Sequence, residues 1–332
     1  MKRTKVLAKF LGLYFISTVT YADCQQHKSI VIAHRGASGH LPEHTLAAFK
    51  LAIEMGADYV EPDLVVTKDG EFIVRHEHYL SQTTDVVDKP EFRNRKRKLG
   101  DRSDWFSEDF TVAEIASLRT RQTFRGRSKA HDGRYPIPTF QQVIDLVRQE
   151  SERLGRPIGL YPETKLPGHF QDLGFDVDDM LVSILDENGL NEPEAKVFIQ
   201  SFEPGILKSL KGRVKVPLVQ LVSAVEDQVD KGGNYQSNIP LAELSQYADG
   251  VGAIKWLIVN QQGKSSDFVS RAKSLDLFVH AWTFREDAYP QKLFSNGEEE
   301  LTLFLKLGID GFFTDFPDTG VSIRDALIDE CG

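Results

Sequence analysis

From about residue 29 onward, short apolar β-type runs alternate with stretches whose apolar positions recur every three or four residues. The runs predict strands at 29–34, 58–65, 157–163, 196–202, 216–222, 249–254, 277–284 and 309–315. The helical spacing predicts helices near 44–55, 139–153, 176–188, 203–210, 241–247, 266–274 and 298–306, with a last one near 317–329. Eight strands, each eventually followed by a helix, are the signature of an α/β fold of the (β/α)8 TIM-barrel type. A doubly wound open sheet is the competing arrangement, but no glycine-rich fingerprint follows the first strand to support it.

One segment breaks the alternation. Residues 79–137 carry Arg93-Asn94-Arg95-Lys96-Arg97-Lys98, a Trp105-Phe106 pair and several turn residues. The segment is too long for a plain loop and too polar for a barrel unit, so it reads as an insertion after the second strand, packed over the barrel mouth. Its basic run reads as a solvated loop rather than a ligand site. No internal repeat or low-complexity tract interrupts the rest.

Ahead of the first strand, Lys2, Arg3, Lys5 and Lys9 precede the apolar run 10–16, and Thr20-Tyr21-Ala22 offers small residues for cleavage. This is the pattern of an export signal spanning 1–22, which leaves 23–332 as a single catalytic domain outside the cytoplasm, periplasmic or secreted. A lipoprotein signal is excluded because Asp23 stands directly before Cys24. No later stretch is apolar enough to span a bilayer, so no stable membrane insertion is expected once the leader is removed. The leader holds four basic and no acidic residues; its loss leaves 36 basic against 49 acidic side chains, near −13. A chain this acidic has no electrostatic route to nucleic acid as a partner. The two cysteines, Cys24 and Cys331, lie near the ends of the mature chain, where a disulfide clamping the termini and a pair of free thiols both remain open.

The chemistry gathers at strand ends. Glu61 and Asp63 are two apart in the second strand and share a face, which in a barrel points inward at the end where active sites form. Glu163 and Lys165 repeat the pattern on the third strand. Three carboxylates meeting at one mouth repel one another unless a cation sits among them, and oxygen donors favour calcium or magnesium over zinc. His34 ends the first strand and His76 the extension of the second; flanking an acidic cluster, one imidazole can take a proton while the other gives one. Arg35 and Lys165 are placed to hold phosphate oxygens. Trp282 and Phe284, two apart on the seventh strand, are candidates for a pocket wall or for ordinary barrel packing. His40 and His44 read as surface or helix-start residues, and His78 as a rim or supporting residue.

Taken in order, His34-Arg35-Gly36-Ala37-Ser38-Gly39, Pro42-Glu43-His44-Thr45, Glu61-Pro62-Asp63-Leu64, His76-Glu77-His78, Tyr161-Pro162-Glu163-Thr164-Lys165, Gln200-Ser201-Phe202, His280-Ala281-Trp282-Thr283 and 310–317 resemble the glycerophosphodiester phosphodiesterase family, most of all its periplasmic members, which carry an insertion after the second strand. The resemblance implies hydrolysis of deacylated phospholipids, a small-molecule glycerophosphodiester, to glycerol 3-phosphate and the head-group alcohol. It implies His34 and His76 as the acid–base pair, Arg35 and Lys165 as phosphate contacts, and Glu61, Asp63 and Glu163 as ligands of one divalent cation, Ca2+ in periplasmic members and Mg2+ in others. Glu43 is implied to orient Arg35 or the metal shell. The family often has Gln or Thr where Pro62 stands; by strand parity Pro62 points away from the site.

The alternatives are the same barrel acting on another phosphodiester, as a phospholipase D-like enzyme does, and a non-enzymatic surface binding protein. The first needs an apolar membrane-facing rim, and no basic amphipathic stretch supplies one. The second is at odds with a complete set of seven polar site residues.

Overall fold

The computed structural model describes residues 29–329; the leader and both cysteines lie outside them. Apart from Phe72–Val74, which pairs antiparallel with Asp63–Val66, the strand segments of the main sheet close into a barrel of eight parallel strands. In order these are Ile30–His34; Tyr59–Glu61 with Asp63–Val66; Gly159–Leu160 with Glu163–Thr164; Ile199–Ser201; Leu218–Val222; Gly250–Ile254; Phe278–Phe284; and Gly311–Thr314. The last strand pairs with the first, Ile30 lying opposite Gly311. The second and third barrel strands are each split in two at a proline, Pro62 and Pro162. Proline has no N–H to give a ladder, so the two breaks fall side by side. The halves above and below stay in register, with Tyr59 opposite Gly159 and Asp63 opposite Glu163.

Alternation along the strands sorts side chains into two compartments. Ile32, Tyr59, Tyr161, Val219 and Phe313 fill the barrel interior, joined by Phe198 and Phe278. Gly250 is required by that filling, since a Cβ there would lie 2.1 Å from the Phe278 ring. The larger cluster, among them Val31, Phe49, Val60, Val143, Leu181 and Phe304, lies between the sheet and the outer helices. The helices fall where the periodicity places them, including Leu46–Glu54, Phe140–Leu154, Val177–Glu187 and Pro317–Asp329. Thr139 opens Phe140–Leu154 with a reciprocal cap to Gln142, and Gly155 ends it in the left-handed conformation.

The insertion buries Leu80, Phe92, Trp105, Phe110, Ile115 and Leu118, which are continuous with the outer core of the barrel. Its basic run is not wholly the solvated loop that its composition suggests. Arg95 bonds Glu114 at 2.6 Å and Arg97 bonds Glu108 at 2.9 Å, while Arg93, Lys96 and Lys98 are exposed. Segregated neutralisation of this kind depends on acids up to 19 residues away, which composition within the run cannot reveal. The insertion reaches the barrel mouth through Gln122 and Arg127, which donate to the Ser38 carbonyl at 3.0 and 3.1 Å. A second excursion, the hairpin Ala224–Val229 with Tyr235–Ser237, was not expected; Ala224 and Tyr235 pack against the core, and Glu226, Asp227, Gln228 and Val229 are exposed.

Candidate active site

The first strand delivers His34 to the C-terminal end of the barrel. Because the eighth strand is its neighbour, Ala33 lies opposite Thr314 and the His34 imidazole meets the Asp315 carboxylate, Nδ1 to Oδ1 2.6 Å. Arg127 of the insertion and Arg285 hold the other Asp315 oxygen at 2.6 and 2.7 Å. Burial would raise the Asp315 pKa, but His34 and the two guanidinium groups hold it well below the usual carboxylate range. Burial, with the Arg35 charge beside it, lowers the His34 pKa to about 4. The ring is therefore neutral near pH 7, with Nδ1–H donating to Asp315 and Nε2 left to the cavity that His34 lines.

After His34 the chain turns sharply. Arg35 has φ 59° and Gly36 φ 82°, and a Cβ on Gly36 would fall 2.7 Å from the Ala48 backbone. Left-handed backbone at a non-glycine residue is a strained conformation that the surroundings must impose. Here the Arg35 N–H donates to Glu61 Oε2 at 2.8 Å, and its guanidinium lies 3.1 Å from Glu43 and 3.5 Å from Asp63. Glu43 thus orients Arg35, as the sequence resemblance implied.

Glu61, Asp63 and Glu163 are all buried, and each offers an oxygen within 4.8 Å of the others. Burial and repulsion from Asp63 and Glu163 push Glu61 well above its ordinary pKa. Glu163 is driven up to about 8 by burial, with Asp63 adding to the shift and Lys165, 2.7 Å away, opposing it. Against the effect of burial, Lys165 and His44 keep Asp63 well below the usual range. Among the described residues, Asp63 Oδ1 is buried without a hydrogen-bond partner. An all-oxygen donor set, mutual repulsion and an orphaned carboxylate oxygen fit a hard divalent cation held by these three residues.

A cavity of about 490 Å³ is lined by His34, Arg35, Glu61, His76 and Glu163. Asp63 and Lys165 stand immediately behind this wall through their contacts with Arg35 and Glu163. The rest of the lining is largely apolar, with Phe202, Leu221, Trp256, Trp282 and Tyr289, joined by Lys255 and Arg285. Phe202 meets Trp282 edge-on, with ring centroids 5.6 Å apart. Phe284 does not share that wall. The register between the seventh and eighth strands shifts after Ala281, and Phe284 packs into the outer core against Phe304 and Phe312. His76 bonds Glu77 at 2.7 Å and remains partly exposed.

Several residues escaped the sequence reading. His44 is fully buried rather than a surface group. Thr45 caps the helix Leu46–Glu54, so the preceding turn, with His44 at φ 57°, sends the imidazole inward to Asp63 Oδ2 at 2.8 Å. Gln200 donates to Glu61 Oε1 at 3.2 Å. Asp315 could have been found from barrel closure alone, since the last strand must end beside His34. Arg127 and Arg285 carried no comparable signal.

Comparisons with known proteins agree with this geometry. A family model described as the glycerophosphoryl diester phosphodiesterase family matches residues 34–319. A glycerophosphodiester phosphodiesterase of Haemophilus influenzae is 32% identical over 96% of this chain and 99% of its own length. Among solved structures, a putative glycerophosphoryl diester phosphodiesterase from Silicibacter pomeroyi covers 90% of this chain and 94% of its own, with a TM-score of 0.68 at 20% identity. An Oleispira antarctica phosphodiesterase in complex with the product sn-glycerol-3-phosphate covers 91% and 99%, with a TM-score of 0.61 at 22% identity. The chain that folds this way, with a family match spanning its barrel from the first strand's histidine onward, belongs to the glycerophosphoryl diester phosphodiesterase family.

Proposed function

We propose that this enzyme hydrolyses glycerophosphodiesters to sn-glycerol 3-phosphate and an alcohol, with His34 and His76 as the acid–base pair and Glu61, Asp63 and Glu163 as ligands of one Ca2+. The observation that carries the reading is the meeting of three buried, mutually repelling carboxylates with both histidines and Arg35 around one cavity. The Oleispira relative of the same fold binds sn-glycerol-3-phosphate, a product of this reaction. When bound, the cation supplies positive charge against the phosphate oxygens and the charge that develops in the transition state.

The protein groups do the rest. Arg35, fixed by Glu43, presents its guanidinium to the phosphate, and Lys165 adds a second positive charge. His34 enters neutral and takes at Nε2 the proton of the attacking hydroxyl, from water or from the substrate's own glycerol, as the bond from phosphorus to the leaving oxygen breaks; Asp315 fixes the tautomer and stabilises the imidazolium that results. His76, which lines the same cavity, gives a proton to the departing alkoxide. Trp282 and Phe202 exclude water on the head-group side. The basic-then-apolar leader supports action outside the cytoplasm.

A coupled assay for glycerol 3-phosphate release from glycerophosphocholine tests the reading. Release is expected with Ca2+, abolished by EDTA and restored by adding the cation back. Product formation that persists in EDTA removes the metal from the scheme, and failure to release glycerol 3-phosphate under any condition removes the substrate.

A further inference from the structure

About the junction between the insertion and the barrel, the structure holds a second group of metal-type donors that the phosphodiesterase chemistry leaves unused. His78 follows the site histidine by two residues, Glu108 belongs to the insertion, and His169 lies on the short helix Pro167–Asp172 just after Lys165. Donor atoms of all three lie within 4.8 Å of one another. We infer that His78, Glu108 and His169 form a zinc-class metal site that fastens the insertion to the loop carrying Lys165.

Three observations bear on this. The first is the separation of the donors. His78 Nδ1 stands 3.2 Å from Glu108 Oε2, and His169 Nε2 stands 3.2 Å from Glu108 Oε1. Elsewhere in this chain, buried histidine–carboxylate pairs close to 2.6 Å at His34–Asp315 and 2.8 Å at His44–Asp63. A nitrogen and an oxygen on the same tetrahedral Zn2+ are about 3.3 Å apart, given bonds of about 2.0–2.1 Å. The 3.2 Å spacing is thus long for a charge-assisted hydrogen bond and close to a ligand–ligand edge.

Second, the donors converge on one point from separate segments. The two imidazoles meet edge-on with centroids 4.9 Å apart, and both face the same carboxylate. The Glu108 side chain is only 4% exposed and that of His78 11%, while His169 at 26% leaves a path from solvent. Two imidazoles with one carboxylate leave a fourth position open, as in tetrahedral zinc centres. Third, the donor chemistry differs from that of the oxygen-only trio. Imidazole nitrogen selects Zn2+, Co2+ or Ni2+, whereas Glu61, Asp63 and Glu163 select a hard cation, so the two sites can be filled independently.

Arg97 and Ser107 also touch the carboxylate, at 2.9 Å on Oε1 and 3.4 Å on Oε2. The guanidinium anchors Glu108 but sets a positive charge beside the ion. Removing it is therefore expected to tighten binding.

The test titrates Co2+ into full-length protein with Ca2+ in excess to occupy the acidic trio, read by visible d–d absorption and by melting temperature. Wild type is expected to give intense tetrahedral-type bands that saturate at one equivalent, with a rise in Tm that Zn2+ reproduces. His169→Gln, which can still hydrogen-bond Glu108 but supplies no imidazole, is expected to lose both signals while circular dichroism shows it folded. Arg97→Gln is expected to bind several-fold more tightly. Wild type without bands at one equivalent, or bands undiminished in His169→Gln, overturns the site and leaves a hydrogen-bonded cluster.

Discussion

Acidic residues sit at both ends of this barrel, and they do opposite work. At the N-terminal end, Asp58, Asp249 and Asp310 each stand just before a strand and accept an N–H at the start of the neighbouring strand, from Val31, Leu218 and Val279, all at 2.8 Å. Asp58 also meets Arg324 at 2.6 Å, and Asp310 meets Lys273 at 3.2 Å. Every one of these carboxylates has a fixed donor and keeps a strand in register. At the C-terminal end, Glu61, Asp63 and Glu163 crowd together with more negative charge than the surrounding donors neutralise, and Asp63 Oδ1 has none. One residue class thus secures the fold at one end and stores unfavourable electrostatics at the other, the division of labour known for barrels of this type. Variants of the mouth should cost turnover without stability, and variants of the base the reverse.

The largest expected effect is at His34. His34→Ala should lower kcat by about 10²–10⁴-fold with an unchanged Tm, measured by steady-state glycerol 3-phosphate release and thermal melting. A variant retaining wild-type kcat would exclude His34 from proton transfer. Next comes Glu163→Gln, which should abolish the response to added Ca2+ yet raise the Tm of cation-free protein measured above about pH 8, where Glu163 would otherwise add its charge to the crowded trio. A fall in that Tm would break the contrast between the two ends.

Arg127→Ala should cost about tenfold in kcat, near 1.4 kcal/mol, with little change in KM, since it frees Asp315 to shift against His34. Recovery of part of the loss by Arg127→Lys would separate charge from packing. At the other end, Asp249→Ala leaves the Leu218 N–H without its partner and should cost about 1–2 kcal/mol in urea unfolding, with kcat intact. Smallest near neutrality is a pH effect from His280, which lies midway along the barrel, bonded to the Tyr161 hydroxyl at 2.9 Å. Burial lowers its pKa from 6.5 to about 3, so the unfolded chain binds the proton first. Its contribution to stability is complete above about pH 6.5 and is lost progressively as pH falls from there towards 3, at up to about 1.4 kcal/mol per pH unit. His280→Asn should flatten this part of the stability curve.

The eight strands were legible because each is a short apolar run bounded by polar turns, and the trio because parity puts Glu61 and Asp63 on one face. Parity failed where the ladder is irregular: it placed Phe284 beside Trp282, and the shift after Ala281 turned it into the outer core. His44 was misplaced because the turn that directs it inward depends on the Thr45 cap and on a left-handed residue, neither of which has a hydrophobic signature. Arg127 and Glu108 were hidden for a different reason. Their partners Asp315 and His169 lie 188 and 61 residues away, so their roles exist only once the insertion has settled on the barrel.

The pairing of the first strand with the last has a consequence for the timing of competence. Ile30 waits for Gly311 and His34 for Asp315, a separation of 281 residues, so the seam joining them can form only after nearly the whole polypeptide has been synthesised. A chain shortened before residue 315 would retain its metal-type carboxylates but leave the imidazole free to rotate. On the role proposed for His34, hydrolytic capacity would therefore be gained only once this seam has closed.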